Sequence, residues 1–88
     1  MIEPRREISD FIVNMEYVLQ LNDHKGGWQS CDYSYLMDRI AINLKEMRRL
    51  YWVGNRSPGK QDFLMKKATD IANFAMMIYD NALNARNF

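Results

Sequence analysis

The sequence predicts an all-α fold: a three-helix protomer, or short helical bundle, that assembles into a symmetric homo-oligomer. Apolar residues recur at spacings of three and four along three long segments, and short stretches containing glycine or proline separate these segments. At 88 residues the chain forms one domain, residues 1–88, which buries only roughly 60 to 65% of its unfolded surface. Self-association is a natural way to complete so small a core.

The first helix is predicted over residues 5–22. Pro4 suits its first turn, and an apolar stripe follows at helical spacing: Ile8, Phe11, Ile12, Met15, Val18 and Leu19. Gly26 and Gly27 are predicted to end this helix and to release the backbone into a loop. In that loop, Trp28 is predicted to anchor the backbone against the bundle.

The second helix is predicted from a cap at Asp32 or Ser34 to about Trp52. Its apolar residues keep the same period: Leu36, Ile40, Leu44, Met47 and Tyr51. Only a short connection follows before the third helix, which favours an antiparallel pair. The second and third helices should therefore pack side by side.

The third helix is predicted over about Pro58–Leu83, with Ser57 as its cap. Over residues 72–79 it is apolar around most of its circumference, so it should have more than one apolar neighbour. We expect another copy of the chain to cover part of it; the alternative is an irregular monomer core rich in methionine. The tail 84–88 is predicted to fray.

Composition excludes several classes of protein. The 12 basic and 11 acidic residues nearly balance, so no global field marks the chain as a polycation for DNA. The single Cys31 cannot form an internal disulfide, and no apolar run has the length of a signal peptide core or a membrane span. We expect a cytoplasmic, reduced protein with no membrane partner.

Two motifs resemble a known superfamily: HKGGW at residues 24–28 and DIANFAMMIYDN at residues 70–81. Together they resemble the MazG-like, all-α nucleotide pyrophosphohydrolases. In that superfamily two helices each supply a pair of carboxylates to Mg²⁺, which polarises a triphosphate and activates water. Residues three apart share one helix face, and Mg²⁺ prefers oxygen ligands in octahedral geometry.

Alignment on the apolar residues places the first pair at Asn43 and Glu46 and the second at Lys67 and Asp70. Only two acids remain, and Lys67 puts an ammonium where a cation should bind. We therefore expect no enzyme activity, no catalytic residue, no metal and no cofactor. The alternative for Glu46 and Asp70 is an ordinary role as surface or interhelix salt-bridge partners of Lys67, Arg48 or Arg49.

A more specific resemblance is to the phage-encoded anti-CBASS cyclic-nucleotide sponges, which are compact helical proteins that assemble as homo-oligomers, typically hexamers. They sequester the cyclic dinucleotides or trinucleotides of bacterial CBASS immunity without degrading them. The resemblance implies that this chain binds cyclic oligonucleotides such as cyclic GMP-AMP in the host bacterial cytoplasm. Two alternatives stay open: a MazG-like nucleoside triphosphate pyrophosphohydrolase, and a small nucleic-acid-binding phage protein.

The resemblance places a base-stacking aromatic at Phe11 and a phosphate-binding lysine at Lys25. From the residues alone, Phe11 has the position of a core residue, Lys25 can simply complement the helix dipole, and a lone histidine in a polar turn is commonly solvated. In the family a cationic residue on the third helix also contributes to a separate cyclic trinucleotide site. The candidate ligand-binding residues are Phe11, Lys25, His24, Gly26, Lys66 and Lys67.

The segment 45–60 is locally basic. It contains five basic residues and the single acid Glu46, with Tyr51 and Trp52 among them. Such a helix end can contact nucleic-acid phosphates, or it can be a solvated tip. Nucleic acid is therefore an alternative partner, not the expected one.

Overall fold

A computed structural model of the chain describes residues 2–53 and 58–88. It contains α1 (Arg6–Leu21), a short 3-10 turn (Asp23–Lys25), α2 (Tyr33–Val53) and α3 (Pro58–Leu83). Neither described range contains a strand, so the predicted all-α class with three helices is confirmed. No helix in these ranges is both long and apolar enough to cross a membrane. The predicted cap Ser57 lies outside the described residues.

α1 begins and ends one residue inside the predicted range 5–22. The side-chain amide of Asn22 donates a hydrogen bond of 2.9 Å to the carbonyl of Val18, and its backbone N–H reaches back three residues. This closes the helix, so the prediction that the two glycines end it is wrong. Gly26 instead ends the following 3-10 turn, with a φ of 88° that favours glycine.

α2 starts immediately after Asp32, whose carbonyl accepts a hydrogen bond of 3.2 Å from the backbone of Leu36. Of the two predicted caps, Asp32 thus lies at the boundary and Ser34 lies inside the helix. The helix extends one residue past the predicted end at Trp52. Its length of 21 residues gives it a rise of about 30 Å.

α2 and α3 run antiparallel, as predicted. Near one end of the pair, the Lys60 ammonium donates to the carbonyl of Tyr51 at 2.8 Å. Farther along, the Arg39 guanidinium lies 5.9 Å from the centre of the Phe74 ring. Positions on α3 therefore rise as positions on α2 fall, which is the order that a short connection imposes.

Polar side chains occupy much of the interior. Leu36 is the one hydrophobic residue that is fully buried in the described ranges, and the buried polar residues there are Asn43, Thr69, Asn73 and Asn81. The Asn14 amide donates to the Thr69 hydroxyl at 2.7 Å, and the Asn73 amide donates to the carbonyl of Met15 at 3.2 Å. α1 is thus attached to α3 through hydrogen bonds as well as through packing.

A large apolar surface remains uncovered in the protomer. No residue of α1 is buried, and Ile8, Phe11 and Ile12 of its apolar stripe are all exposed. The accessible surface is 7185 Å², whereas a compact monomer of 10.5 kDa exposes about 5,400 Å². The excess of about 1,800 Å² exceeds the area that one partner contributes to a standard interface.

The C-terminal tail 84–88 is fastened to the bundle, so the prediction that it frays is wrong. The backbone N–H of Arg86 donates to the Asn81 carbonyl at 2.8 Å, and the Tyr33 hydroxyl donates to the Arg86 carbonyl at 2.6 Å. The Phe88 ring stacks on the Tyr33 ring with centroids 5.1 Å apart. Tyr33 lies on α2, more than fifty residues earlier, where local sequence gives no sign of this contact.

The carboxylate of Asp80 makes the stability of the fold depend on pH. It accepts hydrogen bonds from the Trp28 indole at 2.9 Å and from the Arg86 guanidinium at 2.7 Å, and these hold the pKa of Asp80 below its usual range. A lowered pKa in the folded state stabilises the fold above the unfolded value near pH 3.9, and this stability is lost as pH falls through the folded value. We expect the free energy of unfolding to decrease between about pH 5 and pH 3, and to decrease less in Asp80→Asn.

Urea denaturation at a series of pH values measures this difference. The pKa of Glu46 is also lowered, by its hydrogen bond and charge interaction with Lys67, so the Asp80→Asn variant should keep part of the acid sensitivity. The exposed Asp38 gives the matched control, because Asp38→Asn should follow the wild-type curve. Identical curves for wild type and Asp80→Asn would contradict the assigned role of Asp80.

Candidate functional site

α3 holds the ammonium of Lys67 against α2. Its Nζ donates to the amide oxygen of Asn43 at 3.1 Å and forms a close ion pair with the carboxylate of Glu46. It also lies 5.3 Å from the centre of the Phe63 ring. The Lys67 side chain is only 14% exposed, so this cation is enclosed by two oxygen atoms and an aromatic face.

This cluster brings together three of the four positions that align with the pyrophosphohydrolase carboxylates. Asn43 and Glu46 come from α2 and Lys67 from α3, while Asp70, one turn beyond Lys67, is half-buried. The pairing of Glu46 with Lys67, raised as the ordinary alternative, is confirmed. No group of three or more metal-ligating acids, histidines or cysteines forms within the described ranges.

The chemical consequence follows from the ammonium itself. A lysine nitrogen in its charged form has three donors and no lone pair, so it cannot coordinate a metal. It already satisfies the oxygen atoms of Asn43 and Glu46 that would face a cation. A divalent ion would meet both charge repulsion and occupied ligands here.

Phe11 lies on the uncovered stripe of α1 and is 39% exposed. Its neighbours on that stripe, Ile8 and Ile12, are exposed as well. The ring is therefore not part of a protomer core. It is accessible to a ligand or to a second protomer.

His24, Lys25 and Gly26 follow α1 and are all exposed. The backbone N–H of Lys25 donates to the Asn22 carbonyl at 2.9 Å, which fixes the turn that carries the lysine. Phe11 lies ten positions before the last residue of α1, which corresponds to a rise of about 15 Å. The protomer alone therefore does not bring Phe11 and Lys25 together.

Trp28 anchors the loop, as predicted. Its indole N–H donates to the Asp80 carboxylate at 2.9 Å, and its carbonyl accepts a hydrogen bond of 3.1 Å from the buried amide of Asn81. The side chain is half-buried. Because both its backbone and its ring are bonded, Trp28 is held in one position on the last turns of α3.

Lys66 and Lys67 have different environments although they are adjacent. Lys66 is exposed, whereas Lys67 is engaged with α2. A ligand phosphate can reach Lys66 without breaking an internal contact. Contact with Lys67 would require the ammonium to share or leave its partners.

The basic end of α2 is open to solvent. Arg48 and Arg49 are exposed, and Trp52 is 77% exposed. Lys60 is the exception, because it bonds back to α2. Arg56 lies outside the described residues. This surface therefore presents two cations and an aromatic ring to solvent, which is the combination that a nucleic-acid site requires.

Comparisons of the chain with protein-family models, with curated proteins and with solved structures find no match. The resemblance to the sponge family thus depends on the motifs quoted above.

The sequence did not predict that three residues would hold the Trp28 loop: Asp80, Asn81 and Arg86. The sequence pattern indicates their roles only weakly. Asp80 and Asn81 are polar residues at the end of an otherwise apolar stretch of α3, which indicates a buried polar partner. Arg86 stands in a tail with no periodicity, so only the folded chain shows its role.

Lys67→Ala tests the enclosed cation. The buried amide oxygen of Asn43 would lose the hydrogen bond from Lys67, so we expect the free energy of unfolding to fall by about 1 to 3 kcal/mol. Chemical denaturation measures this change. Lys66→Ala removes a neighbouring lysine that is exposed, and it should change stability by less than about 0.5 kcal/mol. Equal effects of the two variants would show that the contacts of Lys67 contribute nothing to stability.

Proposed function

We propose that the chain binds cyclic oligonucleotide second messengers, such as cyclic GMP-AMP, and sequesters them without hydrolysis. The observation that supports holding over cutting is the enclosed ammonium of Lys67. It occupies the oxygen atoms of Asn43 and Glu46, which a pyrophosphohydrolase of this scaffold would offer to Mg²⁺. Mg²⁺-assisted hydrolysis of a triphosphate is disfavoured at such a position.

The accessible chemistry suits a nucleotide. Phe11 offers an exposed aromatic face on which a base can stack, and Lys25 offers an exposed ammonium to a phosphate. Stacking of a base on an aromatic ring contributes roughly 1 to 3 kcal/mol, and a charge-assisted hydrogen bond roughly 1.5 to 3 kcal/mol. Two of each contribute roughly 5 to 12 kcal/mol, which approaches nanomolar affinity before the costs of association are subtracted.

Geometry favours a site shared between protomers. Phe11 lies in the middle of α1 and Lys25 lies in the turn beyond its end, with a helical rise of about 15 Å from Phe11 to the end of α1. Antiparallel packing of two α1 helices brings Phe11 of one copy beside Lys25 of the other, and the two-fold axis repeats the pair. A cyclic dinucleotide with two bases and two phosphates matches this symmetry.

The same surface supports self-association. The protomer exposes about 1,800 Å² more than a compact monomer of its mass, and the uncovered stripe of α1 belongs to that surface. Closed symmetric assembly is the common way to bury a repeated patch. We propose a homo-oligomer, with a hexamer as the expected size.

Sequestration works by mass action. In the host bacterial cytoplasm, a protein in excess of the messenger and with higher affinity than the CBASS effector lowers the free messenger below the effector's threshold. Several sites per oligomer increase the binding capacity. The immune response then fails without any chemical step.

Nucleic acid remains a second candidate ligand because of one feature. Trp52 is exposed beside Arg48 and Arg49, a combination that single-stranded binding proteins use for stacking and phosphate contact. Binding there would weaken steeply with salt and would depend on the two arginines. It would not depend on Phe11 or Lys25.

A retention experiment tests the proposed function. Purified protein is incubated with cyclic GMP-AMP, freed of unbound nucleotide on a sizing column and heat-denatured, and the released nucleotide is identified by chromatography. We expect intact messenger in stoichiometric amount. A cleaved product would contradict sequestration, and a protein that retains no cyclic dinucleotide or trinucleotide would contradict messenger binding.

Calorimetry tests the two residues of the site. We expect Phe11→Ala to weaken binding by about 5- to 150-fold per stacked base, and Lys25→Ala by about 10- to 150-fold. Phe11→Tyr keeps the stacking face and should bind well. Val13→Ala removes an exposed apolar residue elsewhere on α1, Lys45→Ala removes an exposed lysine on α2, and both variants should bind normally. Normal binding by both site variants would place the site elsewhere.

Sedimentation equilibrium tests the assembly. We expect a mass of about 63 kDa, six times the 10.5 kDa of one chain. Ile12→Glu puts a charge on the uncovered α1 stripe and should lower this mass, whereas Val13→Glu, one residue further along and about 100° around the helix, should not. A wild-type mass of a single chain would contradict self-association.

A further inference from the structure

The segment that carries Lys25 is fastened at both ends. At its start, the Asn22 side chain closes α1, and the backbone N–H groups of Lys25 and Gly26 donate to the carbonyls of Asn22 and Asp23 at 2.9 and 3.1 Å. At its end stands Trp28. Only Gly26 and Gly27 separate Lys25 from Trp28. The Cα atoms of Lys25 and Trp28 can therefore be at most about 10 Å apart, and fixing Trp28 limits where Lys25 can lie.

The second fastening depends on the C-terminal segment. Trp28 bonds Asp80 through its indole and Asn81 through its carbonyl. Arg86 holds both of these residues. Its guanidinium donates to the Asp80 carboxylate at 2.7 Å and to the Asn81 amide oxygen at 3.2 Å. Arg86 therefore fixes the two residues that fix Trp28.

Arg86 is itself held along its backbone. Its N–H donates to the Asn81 carbonyl at 2.8 Å, and its carbonyl accepts the Tyr33 hydroxyl at 2.6 Å. The next residue, Asn87, donates its amide to the carbonyls of Gln29 and Cys31 at 2.8 and 3.1 Å, beyond the far side of Trp28. The tail thus contacts the loop directly through Asn87, and indirectly through the bonds of Arg86 to Asp80 and Asn81 on α3.

We propose that Arg86 is a positioning residue for phosphate binding by Lys25. This inference rests on the proposed function, because it assigns a structural origin to the preorganisation of that same site. Four glycine backbone torsions at Gly26 and Gly27 would otherwise let the Lys25 segment sample many positions. Holding Trp28 in place removes this freedom before the ligand arrives, and a ligand then binds without the cost of ordering the loop.

The measurable consequence is a change in affinity that depends on Lys25. We expect Arg86→Ala to weaken binding of cyclic GMP-AMP by roughly tenfold, the scale set by ordering one or two mobile side chains on binding. Arg86→Lys keeps one charged donor for Asp80 and loses the second arm, so its affinity should be intermediate. Calorimetry with the full chain gives both values.

A double-variant comparison separates positioning from general damage to the fold. If Arg86 acts through Lys25, Arg86→Ala weakens binding in the wild-type background and has little further effect in Lys25→Ala. A general loss of structure would weaken binding in both backgrounds. Met47→Ala provides a stability control, because Met47 is half-buried on α2 about 20 Å along the helix from Tyr33 and should change stability without changing affinity.

The outcomes are distinguishable. Weakened binding by Arg86→Ala that disappears in Lys25→Ala supports the inference. Unchanged affinity of Arg86→Ala and Arg86→Lys, or equal losses in both backgrounds, overturns it and leaves the proposed function standing. Absence of binding by the wild-type protein overturns the proposed function and this inference with it.

Discussion

The shortage of buried apolar side chains is the constraint from which the other features follow. Leu36 alone is a fully buried hydrophobic residue in the described ranges, and side-chain amides and a hydroxyl take the other buried places. A net hydrogen bond contributes only about 1 kcal/mol, whereas leaving a buried polar group without its partner costs more. Such an interior contributes little net stability, and the apolar stripe of α1 stays open to solvent. We therefore propose that a second copy of the chain covers this stripe.

The contact between α2 and α3 contains an internal ion pair. The ammonium of Lys67 satisfies the oxygen atoms of Asn43 and Glu46. The positive charge of Lys67 balances the negative charge of Glu46, so side chains of the two helices neutralise each other where the helices meet. The Lys67 side chain is only 14% exposed, so this cation depends on its partners on α2.

Periodic features were predictable from the sequence and non-periodic ones were not. The bounds of α3 and the antiparallel pair follow from apolar spacing and a short connection, and the encounter of Glu46 with Lys67 follows from aligning two helices. Asn22 and the two glycines are both residue types that can end a helix, so the sequence offers two end points for α1. In the structure the Asn22 side chain ends the helix by its hydrogen bond to the Val18 carbonyl. The fastening of the tail by Arg86 joins positions more than fifty residues apart, which no pattern within either segment records.

The two halves of the proposed site are consequently built by different means. Phe11 lies on a face that the protomer leaves open, so its surroundings depend on the assembly, whereas Lys25 lies on a turn that the chain itself fixes through Trp28 and α3. Sequestration needs high affinity and slow release, not a sequence of conformational steps. In the proposed site, a pre-formed cation and an aromatic face completed by a second protomer would meet that need, because binding would require little further ordering of the protein. Asn81, a residue of the polar interior, donates to the Trp28 carbonyl, so the same interior that leaves the apolar stripe of α1 open also fixes the loop that follows Lys25.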